Sequence, residues 1–510
     1  MVPIISTGSA HGRSFTEARF QAEQALELFR ATSIPIVPQK TRDGVILVDW
    51  YTTDDQGNPQ NWPRAWKIWV IIVMCAYTFA MYCSASIIVP STAGMMGDID
   101  ISEEAALIPF AVFVIGYGIG PVFLGPLSEI PVIGRNVYVI TFALFFALSF
   151  PTAIVQNYTG LCVLCFLTGV ASSPAVTIVG ATFSDLYTLL YVPYQLGWWV
   201  WSAWAGSAVG FLLAGFAVSA KDWHWALWEI VWMSGLIALL LFFLSPETSA
   251  ANILLRRAQR LRRLTGNDNL RSQSEIDQSR PSASRILSNA LVKPIEIMMK
   301  DPAILSVNTY TALFYGIYCT FFECFPLVFQ EMHGFNLGET GLAFLACQVG
   351  ATVGLLLYFS YLHWYMVPDN LRNGLREQEY RLVPAMIGSW LLPVGLFLFA
   401  WTARPDIHWF VPLVGVVIFV TGFYLVIQGL FMYLPLSYPQ YAASLFSGND
   451  VCRSAFAAGA IMFARPMFLR LGVAKGVTLL GGLTGMGIID MICLYIFGKK
   501  LREMSTFAQG

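Results

Sequence analysis

Twelve long apolar stretches constrain the fold of this chain more than any other feature. They lie near residues 67–89, 105–125, 136–155, 159–183, 193–219, 225–245, 303–324, 340–360, 382–401, 408–433, 446–465 and 475–497. A helix of about 20 apolar residues matches the thickness of a bilayer core. We number the stretches spans 1 to 12, and we predict an all-α integral membrane protein.

Composition and charge agree with lipid as the main solvent. Of the 510 residues, 56% are hydrophobic and only 12% are charged, whereas about 25% of a soluble domain is charged. The net charge of -1 argues against nucleic acid as a partner. The nine cysteines lie in apolar runs without metal-ligand spacing. We therefore expect no catalytic residue, no metal and no cofactor, and a protein that is not an enzyme.

The spans fall into two sets of six. We predict a tail over 1–66, a six-helix half over 67–245, a central loop over 246–302, a second half over 303–497 and a tail over 498–510. Such repetition is typical of transporters with a central cavity between two halves. With both termini inside, 24 Lys and Arg residues lie on the inner side and 5 on the outer side. This bias predicts cytoplasmic termini.

The central loop begins with a basic amphipathic segment over 252–266. Arginines crowd one side of the predicted helix, while Leu254, Ala258 and Leu261 line the other. A helix of this kind just after a span is predicted to lie on the anionic cytoplasmic leaflet. Recognition by an organelle-targeting receptor is the alternative.

Two charged patterns are predicted to gate the molecule. The turn after span 2 reads G-P-L-S-E-I-P-V-I-G-R-N. In this turn Glu129 lies between Gly125 and Gly134, and Arg135 directly follows Gly134. At a membrane surface these two charges could hold one helix bundle against its neighbour. In span 11, Asp450 and Arg453 are spaced i, i+3, which favours an ion pair on one helix face. We predict that this second pair is a structural inner gate.

The turn after span 2 resembles the signature of the major facilitator superfamily, and the fungal twelve-span drug:proton antiporter branch is the most similar. Further resemblances are Gly57-Asn58-Pro59-Gln60-Asn61-Trp62-Pro63, Gly116-Tyr117-Gly118-Ile119-Gly120-Pro121, Phe322-Glu323-Cys324-Phe325-Pro326, Gly448-Asn449-Asp450 and Ala464-Arg465-Pro466-Met467-Phe468. The resemblance implies a monomeric transporter that exports a small amphiphilic organic molecule by proton-coupled antiport. It implies the plasma membrane, with the peroxisomal or vacuolar membrane as alternatives.

Two departures from the family pattern leave proton coupling open. In span 4, Cys165 occupies the position of the family's membrane-embedded arginine. In span 5, Ser207 and Phe211 replace both prolines of the antiporter motif, although most of its glycines remain. An uncoupled facilitator for a pathway metabolite in an organelle membrane is therefore the second hypothesis. If protons are coupled, Glu323 is the candidate carrier, because its aromatic neighbours would favour the neutral form by desolvation.

The family architecture places the cavity between spans 1, 4, 7 and 10. The polar and aromatic candidates in those spans are Tyr77, Tyr82, Ser172, Asn308, Tyr315, Tyr318, Tyr424 and Gln428. Aromatic rings and hydroxyl groups with little fixed charge suit an amphiphilic organic molecule. The tryptophans of span 5 are interpreted as a membrane belt. Asn157 begins a glycosylation sequon, but we expect it to stay mostly unmodified because its loop is very short.

Overall fold

The computed structural model describes residues 17, 20–21, 23–24, 33–40, 44–278, 292, 295–438 and 442–505, with the exception of the side chains of Glu129 and residues 442–444. A helix covers every predicted span, and we give each helix the number of its span. Helices 1 to 12 are Arg64–Ser86, Glu103–Glu129, Val137–Ile154, Tyr158–Ser172 continued by Pro174–Leu186, Val192–Ala220, Trp223–Leu244, Pro302–Phe325, Leu337–Tyr361, Val383–Thr402, Phe410–Ser437, Ala442–Leu471 and Val473–Met504.

Shorter elements connect these helices. Short α-helices include Thr92–Ile99, Ala250–Thr265, Gln273–Gln278 and Val367–Asn373. The 3-10 segments are Pro59–Asn61, Val89–Ser91, Gly134–Asn136 and Gln378–Leu382, and π-helical turns at Pro326–Met332 and Leu362–Met366 extend helices 7 and 8. Strands β1 (Ile46–Leu47) and β2 (Leu270–Arg271) pair in parallel.

Eleven of the numbered helices are long and apolar enough to cross a membrane. Helix 11 is 30 residues long, but polar residues such as Asn449, Asp450 and Arg453 lower its apolarity. Helix 11 nevertheless packs closely against helices 2 and 7. The architecture is therefore that of an all-helical membrane protein.

Local sequence signals explain where several helices begin. The side chain of Ser102 accepts a hydrogen bond from the Ala105 amide at the start of helix 2. Asp301 accepts from two amides at the start of helix 7, and Asn336 with Glu339 forms a capping box at helix 8. Each of these side chains satisfies backbone donors that the first helical turn leaves unbonded.

Helices 1 to 6 and helices 7 to 12 form two bundles that meet along two helix pairs. Helix 2 packs against helix 11, and helix 5 packs against helix 8. In the first pair, Gly118 lies so close to Ser454 that a Cβ atom would overlap the serine side chain. Gly125 lies near Ser447 of the same partner helix. Small residues thus allow the two halves to approach closely.

The N-terminal segment and the central loop lie on one side of the helices, which we call the loop side. Here Arg257 of the helix Ala250–Thr265 donates a hydrogen bond to Asp55 at 2.6 Å, and Arg262 pairs with Glu275 at 2.6 Å. Two of the arginines predicted to face the lipid surface are thus engaged within the protein. Residues 270–278 of the central loop form β2 and a short helix; the stretch 279–291 lies outside the described residues.

Candidate functional site

A small central cavity lies between the two halves. Its volume is about 40 Å³, and helices 1, 5, 7, 10 and 11 line it. The lining side chains are mostly aromatic: Tyr82, Trp199, Val200, Ala203, Trp204, Ser207, Tyr315, Tyr318, Phe423, Ile427, Phe431 and Arg453. A cavity of this volume accommodates a few water molecules at most. The structure is therefore an occluded form in which the central site is collapsed.

Arg453 carries the positive charge of the cavity. Its Nη2 donates to Asp450 Oδ1 at 2.6 Å, because the i, i+3 spacing places both side chains on one face of helix 11. Both residues are buried, and the guanidinium lies 4.7 Å from the ring centroid of Tyr315. The predicted ion pair is present. It lies beside the central cavity, and its role as an inner gate stays a prediction.

Three of the predicted cavity residues line the cavity. Tyr82 comes from helix 1, and Tyr315 and Tyr318 come from helix 7. The hydroxyl groups of Tyr315 and Tyr117 are hydrogen-bonded to each other, which joins helix 7 to helix 2 across the two halves. No hydrogen-bond partner is found for the buried hydroxyl of Tyr318 among the described residues. That hydroxyl group could therefore bond to a polar atom of a substrate.

Three other candidates do not line the small cavity of this form, so their place at a substrate site stays a prediction. Tyr77 packs edge-on against Phe142 inside the first half, and its hydroxyl donates to the carbonyl of Ser172 at 3.4 Å. The hydroxyl of Ser172 itself donates to a carbonyl of its own helix. Asn308 accepts from Asn449 between helices 7 and 11. Their helix faces point into the bundles, where polar side chains must find internal partners.

Tyr424 and Gln428 of helix 10 close the structure on the loop side instead of lining the cavity. The Tyr424 hydroxyl donates to the carbonyl of Gly197 at 2.7 Å. Gln428 Nε2 donates to the carbonyl of Leu196 at 3.3 Å. Both acceptors belong to helix 5 of the other half, so these bonds hold the halves together below the cavity.

Helix 5 contributes to the cavity, although its residues were not among the predicted lining. Trp199 and Trp204 are both 6% exposed, and they line the cavity together with Ser207. Trp204 packs against Tyr318 at 4.5 Å between ring centroids. Trp199, Ala203 and Ser207 of the lining recur every four residues along helix 5, which places them on one helical face, and that periodicity was the available signal. The belt interpretation fails for these two tryptophans because they face the other half rather than lipid.

Glu323 lies in an ionic cluster on the side opposite the loop side. Arg465 of helix 11 is 2.7 Å from Glu103 of helix 2, 3.9 Å from Glu323 and 3.8 Å from Glu331. Glu323 is buried at 5% exposure. The cluster connects the two halves through the pair of Arg465 and Glu103. Glu323 thus lies beyond the central cavity, and its role as proton carrier stays a prediction.

The turn after helix 2 binds its own half rather than the other one. Arg135 donates through Nε to Asp185 Oδ2 at 3.0 Å, at the end of helix 4. The backbone amide of Arg135 donates to both oxygens of Glu247 at 3.1 Å. Gly134 has a φ of +61°, which favours glycine and aims that amide at the carboxylate. In this conformation Arg135 pairs with carboxylates on its own half, and its role as a gate between the halves stays a prediction. The side chain of Glu129 lies outside the described residues.

Cys165 lies in helix 4, and Asn157 caps the start of that helix. Cys165 is buried beside Phe113 and Phe145, around a cavity of about 20 Å³ in the first half. The residues that line this cavity carry no charge, so the position of the family's arginine is uncharged here. Asn157 caps helix 4 by accepting from the Thr159 amide at 3.1 Å, three residues after helix 3 ends.

Comparison with known proteins identifies the family. The sequence profile of the Major Facilitator Superfamily matches residues 74–461. The chain belongs to the major facilitator superfamily. Among superfamily members, it is 45% identical to the "MFS-type transporter pyvG" of Aspergillus violaceofuscus, over 92% of this chain and 87% of that protein. It is 35% identical to the "Cycloheximide resistance protein" of Candida maltosa, over 91% and 86%.

A third relative, "Fluconazole resistance protein 1" of Saccharomyces cerevisiae, is 37% identical over 91% of this chain and 85% of that protein. These relatives support the fungal drug-efflux branch of the major facilitator superfamily. Among solved structures, the proton:xylose symporter XylE matches with a TM-score of 0.59 at 12% identity, covering 85% of this chain and 96% of that one. The similarity to XylE shows the fold alone.

Proposed function

We propose that this transporter moves a small amphiphilic organic molecule, such as a drug, toxin or secondary metabolite, by alternating access. The observation that carries the proposal is the aromatic cavity between the halves with one buried ion pair, Asp450 and Arg453. Aromatic rings bind apolar bodies, and a few polar groups orient them. The names of the relatives, which refer to cycloheximide and fluconazole resistance, support the same substrate class.

The occluded cavity must widen before it can hold such a molecule. On the loop side, the bonds from Tyr424 and Gln428 to helix 5 must break. On the opposite side, the ion pair of Arg465 and Glu103 must break. Alternating access then follows from opening one set of contacts while the other stays closed. Packed interfaces of this kind switch between discrete arrangements.

We propose further that protons drive export through Glu323. Protonation of Glu323 removes one of three negative charges around Arg465 and so changes the balance that holds Glu103 across the halves. Intramembrane carboxylates are costly and are therefore candidates for function. The Lys and Arg bias supports a cytoplasmic loop side with both termini inside. The plasma membrane is the proposed location, with the peroxisomal or vacuolar membrane as alternatives.

The test is a drug-resistance and transport assay. Yeast cells that lack their own drug transporters would express the protein, and growth in cycloheximide and in fluconazole would be measured. We expect resistance with the wild type and its loss with Trp204→Ala at equal surface expression. Equal sensitivity of wild-type and empty-vector cells to a broad panel of amphiphilic compounds would refute the efflux function.

Proton coupling is tested separately in proteoliposomes. With a transported compound in hand, Glu323→Gln should abolish transport driven by an imposed pH gradient and leave downhill exchange intact. Glu331→Gln is a matched control in the same cluster, because Glu331 is largely exposed. If an imposed pH gradient does not change the rate of wild-type transport, proton coupling is refuted and the uncoupled facilitator becomes the proposed function. The uncharged surroundings of Cys165, where the family has an arginine, are the observation that favours this second function.

A further inference from the structure

A groove on the lipid-facing surface of the loop side differs from the central cavity in chemistry and in size. It has two chambers, one on each side of Trp198 in helix 5. The first chamber has a volume of about 770 Å³ and lies between helices 1 and 5. The second has a volume of about 550 Å³ and reaches the end of helix 8. Lys67, Tyr187, Gln195 and Trp198 line both chambers, so the two form one continuous groove.

The packing of helices 1 and 5 explains why the first chamber exists. At the far end of the pair, Gly206 and Gly210 allow helix 5 to contact the backbone of Phe79 and Cys83 closely. At the loop side, Gln195 and Trp198 of helix 5 line the chamber opposite Lys67 and Ile71 of helix 1. Small residues bring helices together and large ones hold them apart. The two helices therefore diverge toward the loop side and leave a wedge open to lipid.

The lining changes from cationic to apolar along the groove. Arg64 and Lys67 lie in the first turn of helix 1, where the groove meets the loop side. Lys67 Nζ donates to the carbonyl of Gln60 at 2.6 Å and lies 5.3 Å from the ring centroid of Tyr187. Deeper in the membrane, Ile68 and Ile72 are 42% and 55% exposed. Basic side chains above an apolar wall complement an anionic headgroup above acyl chains.

We propose that this groove binds one phospholipid with an anionic headgroup, taken from the leaflet on the loop side. The headgroup phosphate contacts Arg64 and Lys67. One acyl chain lies in the first chamber along Ile68 and Ile72, and the second passes Trp198 into the other chamber. The exposed Ile68 and Ile72 side chains in the wall of the first chamber make a membrane lipid, rather than a soluble anion, the fitting occupant.

The second chamber connects this lipid to the conformation of the transporter. Its wall contains Trp198 of the first half and Phe359 of the second half, whose rings are 5.7 Å apart. The neighbouring turn of helix 5 accepts the closing bonds of Tyr424 and Gln428. A chamber built from both halves exists only while they are closed on the loop side. A lipid bound there therefore stabilises the closed form, since a ligand shifts a population toward the state that binds it better.

The test compares lipid retention and thermal stability. Full-length protein would be reconstituted in nanodiscs of phosphatidylcholine, with or without phosphatidylserine. Native mass spectrometry would count retained phosphatidylserine, and the unfolding midpoint would be measured in both lipid mixtures. For the wild type we expect one retained phosphatidylserine and a higher midpoint in its presence. Inorganic phosphate added to phosphatidylcholine nanodiscs tests whether a soluble phosphate anion can bind in place of the lipid headgroup.

Four variants decide the proposal. Arg64→Ala with Lys67→Ala should weaken phosphatidylserine retention roughly 30-fold, from the contribution of each basic side chain near an anionic surface. Ile72→Trp fills the first chamber without changing charge and should also abolish retention. There are two matched controls. Lys221→Ala removes a lysine that lies over Trp225 on the opposite side, and Ile140→Trp changes the exposed face of helix 3. They should keep the lipid and the midpoint shift.

Retention of phosphatidylserine by the double variant and by Ile72→Trp at the wild-type level would overturn the proposal. An equal midpoint shift with inorganic phosphate alone would also overturn it, because the site would then be an anion site without lipid. A variant that fails to fold is recognised by its midpoint in phosphatidylcholine. Arg64→Gln with Lys67→Gln, which preserves side-chain length, would then replace it.

Discussion

The buried ion pair in helix 11 allows the sharpest test of the structure. Asp450 and Arg453 have side chains 3% and 4% exposed, and their N···O distance is 2.6 Å. Asp450→Asn removes the negative charge but keeps a hydrogen-bond acceptor of the same shape. Arg453 is then a buried cation without an anionic partner on its own helix. Its contact with the ring of Tyr315 is the same in the wild type and in the variant. The cost of the change therefore measures the lost charge alone.

The magnitude follows from the burial of both partners. Breaking a buried ion pair by removing one partner costs about 3–5 kcal/mol. The neutral hydrogen bond that Asn retains is worth about 1 kcal/mol. We therefore expect Asp450→Asn to lower the free energy of unfolding by about 2–4 kcal/mol. The same change in a more exposed pair, Asp369→Asn beside Arg376, should cost less than about 1 kcal/mol and serves as the control.

A double variant separates the loss of a charge from the loss of packing. Asp450→Leu with Arg453→Met replaces both charges by apolar side chains, which often leaves stability unchanged or higher. Free energies of unfolding would be measured by reversible denaturation in detergent micelles for the single and double variants. The reasoning is refuted if Asp450→Asn costs no more than the Asp369→Asn control. It is equally refuted if the double variant is less stable than the single one.

Three further predictions concern the loop side and the sequon. We expect lower efflux at matched surface expression with Arg135→Ala and with Glu129→Gln. Asp185→Asn should partly rescue Arg135→Ala, because it removes the carboxylate that the loss of Arg135 leaves unpaired. Near-normal efflux in both single variants would contradict a gating role for this turn. Burial raises the pKa of Asp55, but hydrogen bonds from Arg257 and two backbone amides hold it below the ordinary value of 3.8. Because this pKa is lowered, the Asp55 carboxylate stabilises the contact of the N-terminal segment with Arg257 at pH values above its unfolded-state pKa, and this stabilisation is lost as the pH falls through its folded-state pKa. Protease cleavage of the N-terminal segment should therefore increase at pH values below 3.8. With Asp55→Ala, the increase should already occur at neutral pH. Asn157 should stay mostly unmodified, and a glycosidase-sensitive gel shift that is absent in Asn157→Gln would prove this wrong.

The helices were predictable because lipid imposes a simple rule. A segment that crosses the hydrocarbon must be apolar, about 20 residues long and helical, so composition and length predict its position. The helix bounds Val137–Ile154 and Val383–Thr402 differ from the predicted spans by a residue or so. The pair of Asp450 and Arg453 was predictable for the same local reason, since i, i+3 spacing brings side chains together on any helix.

The contacts between helices were not predictable, because they depend on how each helix is rotated and which helix lies beside it. Arg135 could pair with any acidic residue on the loop side, and only packing selects Asp185. Trp199 and Trp204 face the cavity, whereas Trp198 faces lipid, and the hydropathy of helix 5 is the same for either orientation.

The sequence by itself thus determined that this protein is a bundle of membrane helices with two halves and few buried charges. Only the tertiary structure decided that Arg465 joins Glu103 to Glu323, and that Tyr82 reaches the cavity while Tyr77 does not. The reason is physical. Burial in lipid acts on each segment alone, whereas a binding site is made by side chains from several helices whose positions are set by mutual packing.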